Sequence, residues 1–343
     1  MRGRCLNRLT NGPFGAPSGC LLYTSGAWHV HTHEYAEAIL NNPQGELACL
    51  WDDNQERGKA MAQQLGIPFQ PDLDAIWEDP SIKGVQVTTA TSQHKAVLLA
   101  AAKAKKHIFT EKVLALTNED AQEIAQAVKE SGVKFAISYP HKTWPTLKAA
   151  KALVESGKLG QITYARVRDA HNGSSAGWLP PHFYDPAQTG GGAMIDLGAH
   201  PMYTLHWFLG EPKSIVSQFT QVTGRGVEDN AVSVIEFANG AIGVSETGFV
   251  TTGNGYILEM SGTQGSLLVH NNKLEYSCPE TDGKVVELED LPAPSPMPVD
   301  AWLSACCGVG GTIESGMDEA VALTKLMVGA YEAWRTEQKY VFA

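Results

Sequence analysis

The chain has 343 residues, 43% of them hydrophobic and 18% charged, which suits a globular protein of two domains. Acidic residues outnumber basic ones 37 to 26, a net charge of −11, and this excludes a surface built to follow a nucleic-acid backbone. No apolar run approaches the roughly 18 residues of a membrane span. The cysteines Cys5, Cys20, Cys49, Cys278, Cys306 and Cys307 form no CxxC pair, so the reading is a reducing cytoplasm rather than a disulfide framework or zinc ribbon.

Residues 1–24 are atypical, with Arg2, Arg4 and Arg8, no acid, and a Gly/Pro/Asn cluster. A secretory signal would need an apolar stretch of at least about seven residues, and none is present. The run Cys20–Ser25 resembles translated adaptor sequence, so the segment is expected to be non-native or disordered. An α/β domain nevertheless opens on a buried strand, and Leu21–Ser25 is the one run placed to supply it.

From Gly26 onward strands and helices alternate. Helices are expected over His33–Leu40, Glu56–Leu65, Leu73–Trp77 and His94–Ala104, with a further one from the Thr117 cap to Lys129. Strands are expected over Glu46–Trp51, Gly84–Thr89, His107–Thr110 and Lys134–Ser138. Such alternation implies parallel βαβ units in a doubly wound sheet, a first domain over residues 25–140. Beyond it come a helix over Thr146–Ser156, a strand over Ile162–Arg168, a Gly- and aromatic-rich loop to Gly192, and a helix over Ala193–Leu209. Strands then follow one another: Ser214–Val222, Ala231–Phe237, Ala241–Phe249, Tyr256–Ser261 and Ser266–Val269. Asn239-Gly240 is a two-residue hairpin signal. The reading is an α+β second domain over 141–343, an open, mostly antiparallel sheet with helices on one face, closed by a helix over Met317–Thr336.

Three places could carry chemistry. The turn Gly26-Ala27-Trp28-His29-Val30-His31 keeps only the first glycine of the G-x-G-x-x-G spacing that brings backbone amides to a pyrophosphate. Asp52 ends the second strand, where an acid bonds ribose hydroxyls and disfavours a 2′-phosphate. Lys112, in Thr110-Glu111-Lys112, follows a strand on the edge where open α/β sheets bind ligands. In the run from Gly190 to His200, Asp196 and His200 stand one helical turn apart, with Tyr203 and Trp207 continuing that face. A rival reading takes His29, His31 and His33 as an HxH metal site of a barrel hydrolase. That fold would need repeated βα units to the C-terminus, where this chain turns to antiparallel strands.

Together these residues resemble the Gfo/Idh/MocA family, glucose-fructose oxidoreductase, inositol dehydrogenase and their relatives. The resemblance runs from Gly26 to the C-terminus. Thr89-Ala90-Thr91-Ser92-Gln93-His94 is similar to the family's T-P-x-x-x-H, Thr110-Glu111-Lys112 to its E-K-P, and the Gly190–His200 run to its G-G-G-x-x-x-D-x-G-x-H. The resemblance implies an N-terminal Rossmann domain for NAD, with NADP possible. It implies Lys112, Asp196 and His200 as catalytic residues and a sugar, polyol or glycoside as substrate. Cofactor contacts are implied for Gly26, Trp28, His29, Asp52, Thr89, Thr91, His94 and Glu111, with no metal, and a homodimer or homotetramer is expected. His171, Trp178, His182 and Tyr203, with Phe183 and Tyr184, would face the sugar, since flat rings with polar tips suit a hydroxylated ring.

Three departures from the family pattern stand out, one being Tyr203 at a position often acidic in relatives. Val113 replaces the proline of E-K-P, so a trans Lys112–Val113 peptide is expected, a non-proline cis bond costing about 2.5–4 kcal/mol. Trp28 and His31 fill the second and third fingerprint positions, where their bulk would obstruct close backbone approach. The expected reaction is hydride transfer from a secondary alcohol carbon, His200 as base, Lys112 stabilising the oxygen charge and Asp196 orienting the site. The same residues also suit a glycosidase that oxidises, eliminates and re-reduces its sugar, or an inactive relative.

Overall fold

Two units make up the chain, and the computed structural model describes residues 20–253 and 255–342. The first opens with β1 (Cys20–Ser25), α1 (Thr32–Asn41), β2 (Gly45–Trp51), α2 (Gln55–Leu65) and α3 (Asp74–Glu78). It continues through β3 (Gly84–Val87), α4 (His94–Lys103), β4 (His107–Thr110), α5 (Asn118–Ser131) and β5 (Phe135–Ile137). The strands pair in parallel in the order β2-β1-β3-β4-β5. Every residue of β3 and β5 is buried, as a sheet covered on both faces requires. Local chemistry sets the helix limits. The Asn54 side chain accepts from the backbone N–H of Glu56 and Arg57 to start α2, and Gly66, in the left-handed region, ends it.

Where disorder is one expectation for residues 1–24, the last of them are ordered. Cys20–Ser25 form β1, flanked on both sides by β2 and β3, with Leu22 and Tyr23 fully buried. Leu22 packs in one core with Tyr35, Ile39, Phe109 and Trp302. The remainder of that segment, 1–19, lies outside the described residues.

The second unit contains α6 (Pro145–Glu155), β6 (Ile162–Ala170), the short helices α7 (Gly173–Ala176) and α8 (Pro186–Thr189), and α9 (Ala199–Leu209). A run of strands follows: β7 (Pro212–Thr220), β8 (Asn230–Phe237), β9 (Ile242–Gly248), β10 (Tyr256–Gly262), β11 (Ser266–His270), β12 (Lys273–Ser277) and β13 (Val286–Glu287). After α10 (Pro298–Cys306), the unit closes with α11 (Met317–Thr336) and β14 (Tyr340–Val341). The nine strands order as β13-β12-β11-β10-β6-β9-β8-β7-β14, antiparallel except for the β6–β9 pair. Along β8, Ala231, Ser233, Ile235 and Phe237 are buried while Val234 is exposed, so one face is covered. The α9 helix packs on β6 and β9.

Three sequence expectations change. The helix predicted from Ala193 begins at Ala199, after irregular turns in which Gly198 N donates to the Ala193 carbonyl and His200 N to the Leu197 carbonyl. Glu228 Oε1 accepts from Gly192 N at 2.8 Å and Met194 N at 3.1 Å, and Tyr331 Oη accepts from Ile195 N at 3.2 Å. Strands β12, β13 and β14 are additional to the predicted ones. Finally, α10 belongs to the first unit, which includes Pro296–Asp318. Trp302 is fully buried there among Leu22, Tyr35, Ile39 and Phe109, its ring 5.8 Å from that of Phe109. Trp302→Ala is therefore expected to lower the unfolding free energy by about 3–5 kcal/mol, read as a shifted urea midpoint.

Candidate functional site

In the first unit, ligand-facing chemistry gathers at the carboxyl ends of β1, β3 and β4. With the order β2-β1-β3-β4-β5, the topological switch point lies between β1 and β3. Gly26 leaves β1 with φ +94°, and a Cβ there would stand 2.6 Å from Thr89 N and 2.8 Å from the Thr88 carbonyl carbon. Thr88 Oγ1 donates to the Gly26 carbonyl at 2.6 Å, closing this approach. The first fingerprint glycine is thus required by geometry, since its backbone packs directly on the end of β3. Trp28 and His29, at 4% and 5% exposure, are tucked away from solvent. His29 N donates to the Thr88 carbonyl at 3.2 Å, so the turn clamps both strand ends.

Beneath the turn lies the buried carboxylate of Glu111. It accepts from the Tyr35 hydroxyl and, at 2.9 Å, from Lys112 N. The Tyr35 hydroxyl is also 2.7 Å from Ser138 Oγ, and His29 Nδ1 is 3.8 Å from Glu111 Oε1. Burial opposes the Glu111 charge, but the neighbouring Lys112 charge and the Tyr35 hydrogen bond hold its carboxyl below the usual range. Burial dominates at His29 and pulls its imidazole down to about 3. Lys112 itself is 6% exposed at the end of β4.

The expected trans Lys112–Val113 peptide is overturned: the bond is cis. Its setting differs from that of a free dipeptide, since Glu111 binds Lys112 N on one side and His94 Nδ1 lies 2.8 Å from the Val113 carbonyl on the other. His94, 1% exposed, therefore sits behind the lysine turn. Thr89 is buried against Gly26, and Thr91 opens a 3₁₀ turn at partial exposure.

Asp52 is placed at the end of β2, yet its side chain is 0% exposed and its acceptors are engaged internally. Oδ2 accepts from Ala27 N at 2.5 Å and Arg57 Nε at 3.1 Å, while Oδ1 accepts from Asn54 N and Arg57 Nη2, both at 2.7 Å. The outward acid at this strand end is Asp53, 45% exposed. His31 and His33 do not form the HxH metal site of the rival reading. Each faces a carboxylate of α1, Glu34 at 3.0 Å and Glu37 at 3.5 Å.

In the second unit the three glycines Gly190–Gly192 are explained by close packing. A Cβ on Gly191 would fall 2.0 Å from the Tyr331 hydroxyl, and one on Gly192 2.0 Å from the Glu228 carbonyl. Because α9 starts only at Ala199, Asp196 stands in the preceding turn, partly exposed, and not on one helical face with His200 as expected. His200, 6% exposed, has its Nδ1 2.9 Å from the Tyr203 hydroxyl and its ring stacked 4.2 Å from that of His141.

His141 and its neighbours are residues the sequence reading missed. The His141 ring also meets Trp144 at 3.9 Å and the edge of Tyr256 at 5.0 Å. Its Nε2 is 3.6 Å from Asp169 Oδ2. Asp169 continues the inward face of β6 begun by Ala165 and Val167 and stands opposite Tyr256 on β10. An acid on the covered face of a strand was the available signal. Tyr203 stacks 4.2 Å from Tyr139, and its oxygen accepts from His141 N at 3.3 Å. The remaining sugar candidates lie in the loop after β6. His171 stacks on Phe249 and lies 4.7 Å from Trp178, while His182 packs against Phe183 on a separate turn. Among the described residues no helix is long and apolar enough to cross a membrane.

Family models match two consecutive stretches. One is described as an oxidoreductase family with an NAD-binding Rossmann fold, over residues 26–139, and the other as the GFO/IDH/MocA C-terminal domain, over residues 147–268. The chain is 30% identical to 1,5-anhydro-D-fructose reductase of Ensifer adhaerens over 246 residues, covering 69% of this chain and 72% of the relative. It is 28% identical to scyllo-inositol 2-dehydrogenase (NAD(+)) of Bacillus subtilis over 239 residues, 67% of this chain and 68% of the relative. Among solved structures, levoglucosan dehydrogenase in complex with NADH and levoglucosan has a TM-score of 0.81, covering 93% of this chain and 98% of its own at 20% identity, a likeness of fold.

Two outcomes follow from the first unit. Gly26→Ala is expected to lower the unfolding free energy by more than about 1 kcal/mol and to remove the protection that NAD gives against thermal unfolding. His29 is neutral in the folded chain, with its pKa lowered from 6.5 to about 3. Between these values the unfolded chain binds a proton that the folded chain does not, so stability falls as the pH drops from 6.5. The slope from one such group is at most about 1.4 kcal/mol per pH unit. His29→Gln should flatten the acid limb of a stability–pH curve measured by urea unfolding.

Proposed function

Because the chain belongs to the Gfo/Idh/MocA oxidoreductase family, we propose that it is an NAD-dependent dehydrogenase of a sugar, polyol or glycoside, acting on a secondary hydroxyl. The observation that carries this reading is a buried lysine at the carboxyl edge of a parallel sheet whose switch point holds the glycine crevice. The substrate class is supported by the sugar and inositol enzymes among its relatives.

Gly26 and Thr89 would hold the pyrophosphate, and Asp53, the outward acid at the end of β2, would hold the adenosine ribose. When bound, the nicotinamide supplies the hydride acceptor. His200 takes the proton of the substrate hydroxyl as hydride leaves its carbon. Lys112 stabilises the charge that develops on that oxygen. Asp196 orients the reacting groups, and the rings of His171, Trp178 and Tyr203 offer apolar faces to the sugar. Glu111 and His94, which touch the backbone around Lys112, hold that amine in place. The protein's share is thus geometry and charge, while hydride chemistry is the cofactor's. We further propose that the enzyme works in the cytoplasm as a homodimer or homotetramer.

The test is NAD reduction, followed by absorbance across a panel of sugars and polyols. Lys112→Ala and His200→Ala should each lower kcat about 10²–10⁴-fold, the worth of a positioned acid or base. NAD should still protect both variants against thermal unfolding. Undiminished turnover in both variants, or wild-type protein that NAD does not protect, would overturn the reading.

A further inference from the structure

We propose that His141, Asp169 and His200 form a binding site for a divalent transition cation of the zinc and cobalt class. One ligand atom from each lies within 4.8 Å of the others, and the three residues are buried, partly buried and buried respectively. His141 Nε2 and Asp169 Oδ2, at 3.6 Å, already approach the roughly 3.3 Å between two ligands of a tetrahedral centre with bonds of about 2.0–2.1 Å.

Three features of the setting point the same way. The donors come from separate elements that packing holds rigid, namely the 3₁₀ turn Pro140–Thr143, β6 and α9. The His141 ring is further fixed between Trp144 and Tyr256. A second layer is in place as well. The Tyr203 hydroxyl stands 2.9 Å from His200 Nδ1, and when Nδ1–H donates to it, the lone pair rests on Nε2. Metal-bound histidines are commonly oriented in this way.

The donor set decides the kind of cation. Two neutral imidazoles and one carboxylate favour zinc, cobalt, nickel or copper over magnesium and calcium, which prefer oxygen. Three protein ligands leave at least one position for water or a substrate oxygen, unlike a closed structural site. The same His200 lone pair cannot both hold a cation and take a substrate proton, so the loaded protein is a blocked dehydrogenase. That consequence rests on the reading above, whereas the cation site does not.

The experiment is a Co²⁺ titration of the full chain, stripped with EDTA, desalted and free of NAD. One equivalent should produce the visible d–d bands of a low-coordinate centre, bleached by equimolar Zn²⁺. His141→Ala and Asp169→Asn should abolish the bands. Tyr203→Phe should weaken binding about 10–100-fold, and His206→Ala should leave it unchanged. Should His141→Ala fail to fold, Asp169→Asn decides, because it keeps the side-chain shape on an ordered strand. Absence of a stoichiometric band in the wild type, or a band that survives Asp169→Asn, overturns the site. Co²⁺ binding without NAD reduction on any substrate removes the dehydrogenase reading alone. NAD reduction without Co²⁺ binding removes the cation site alone.

Discussion

A buried carboxylate organises the first unit. Glu111 is 1% exposed, and a charge so placed is tolerable only if it is paired and hydrogen-bonded. Its partners come from three different parts of the chain: the Tyr35 hydroxyl of α1, the backbone of Lys112, and the ring of His29 in the first turn. Satisfying one charge therefore fixes the first turn, the first helix and the lysine relative to one another. The cis Lys112–Val113 peptide sits inside the same arrangement, between the Glu111 carboxylate and the His94 ring.

The second unit uses an analogous device. The Glu228 carboxylate, 3% exposed, receives two backbone N–H groups of the glycine turn and the Tyr331 hydroxyl. Burial raises its pKa against these hydrogen bonds. Tyr331 of α11 leaves no room for a side chain at Gly191, and the Glu228 carbonyl leaves none at Gly192, in the turn that precedes the helix carrying His200. In both units a motif that reads as a flexible loop is a close-packed junction built around an acid. Chemistry-bearing side chains emerge from the ends of such junctions, where their positions are well determined.

Much of this architecture was legible in the chain. The strands ending at Trp51 and Thr110, and the helices over 94–104 and 317–336, follow from apolar periodicity and helix stops, which act within a few residues. The order of three motifs, with strand ends where a dinucleotide fold needs them, pointed to the family. Position along the chain was a poor guide elsewhere. Trp302, far from the first sheet in sequence, fills its core, and nothing local to α10 signals that destination. The helix expected from Ala193 starts about a turn and a half late, after turns whose backbone donors reach Glu228 and Tyr331, residues far along the chain.

The sequence alone determined most of the element types and the parallel and antiparallel characters of the two sheets, since propensity and spacing are local quantities. Tertiary structure decided which groups meet. It turned Asp52 inward onto Arg57 and left Asp53 outward. It moved Asp196 off the helix and gave His200 the company of His141, Asp169 and Tyr203. His141 and Asp169 lie tens of residues from His200, and only the crossing of β6, α9 and the turn after β5 brings them within reach. Contacts of that kind depend on how whole elements pack, and no window of sequence contains that information.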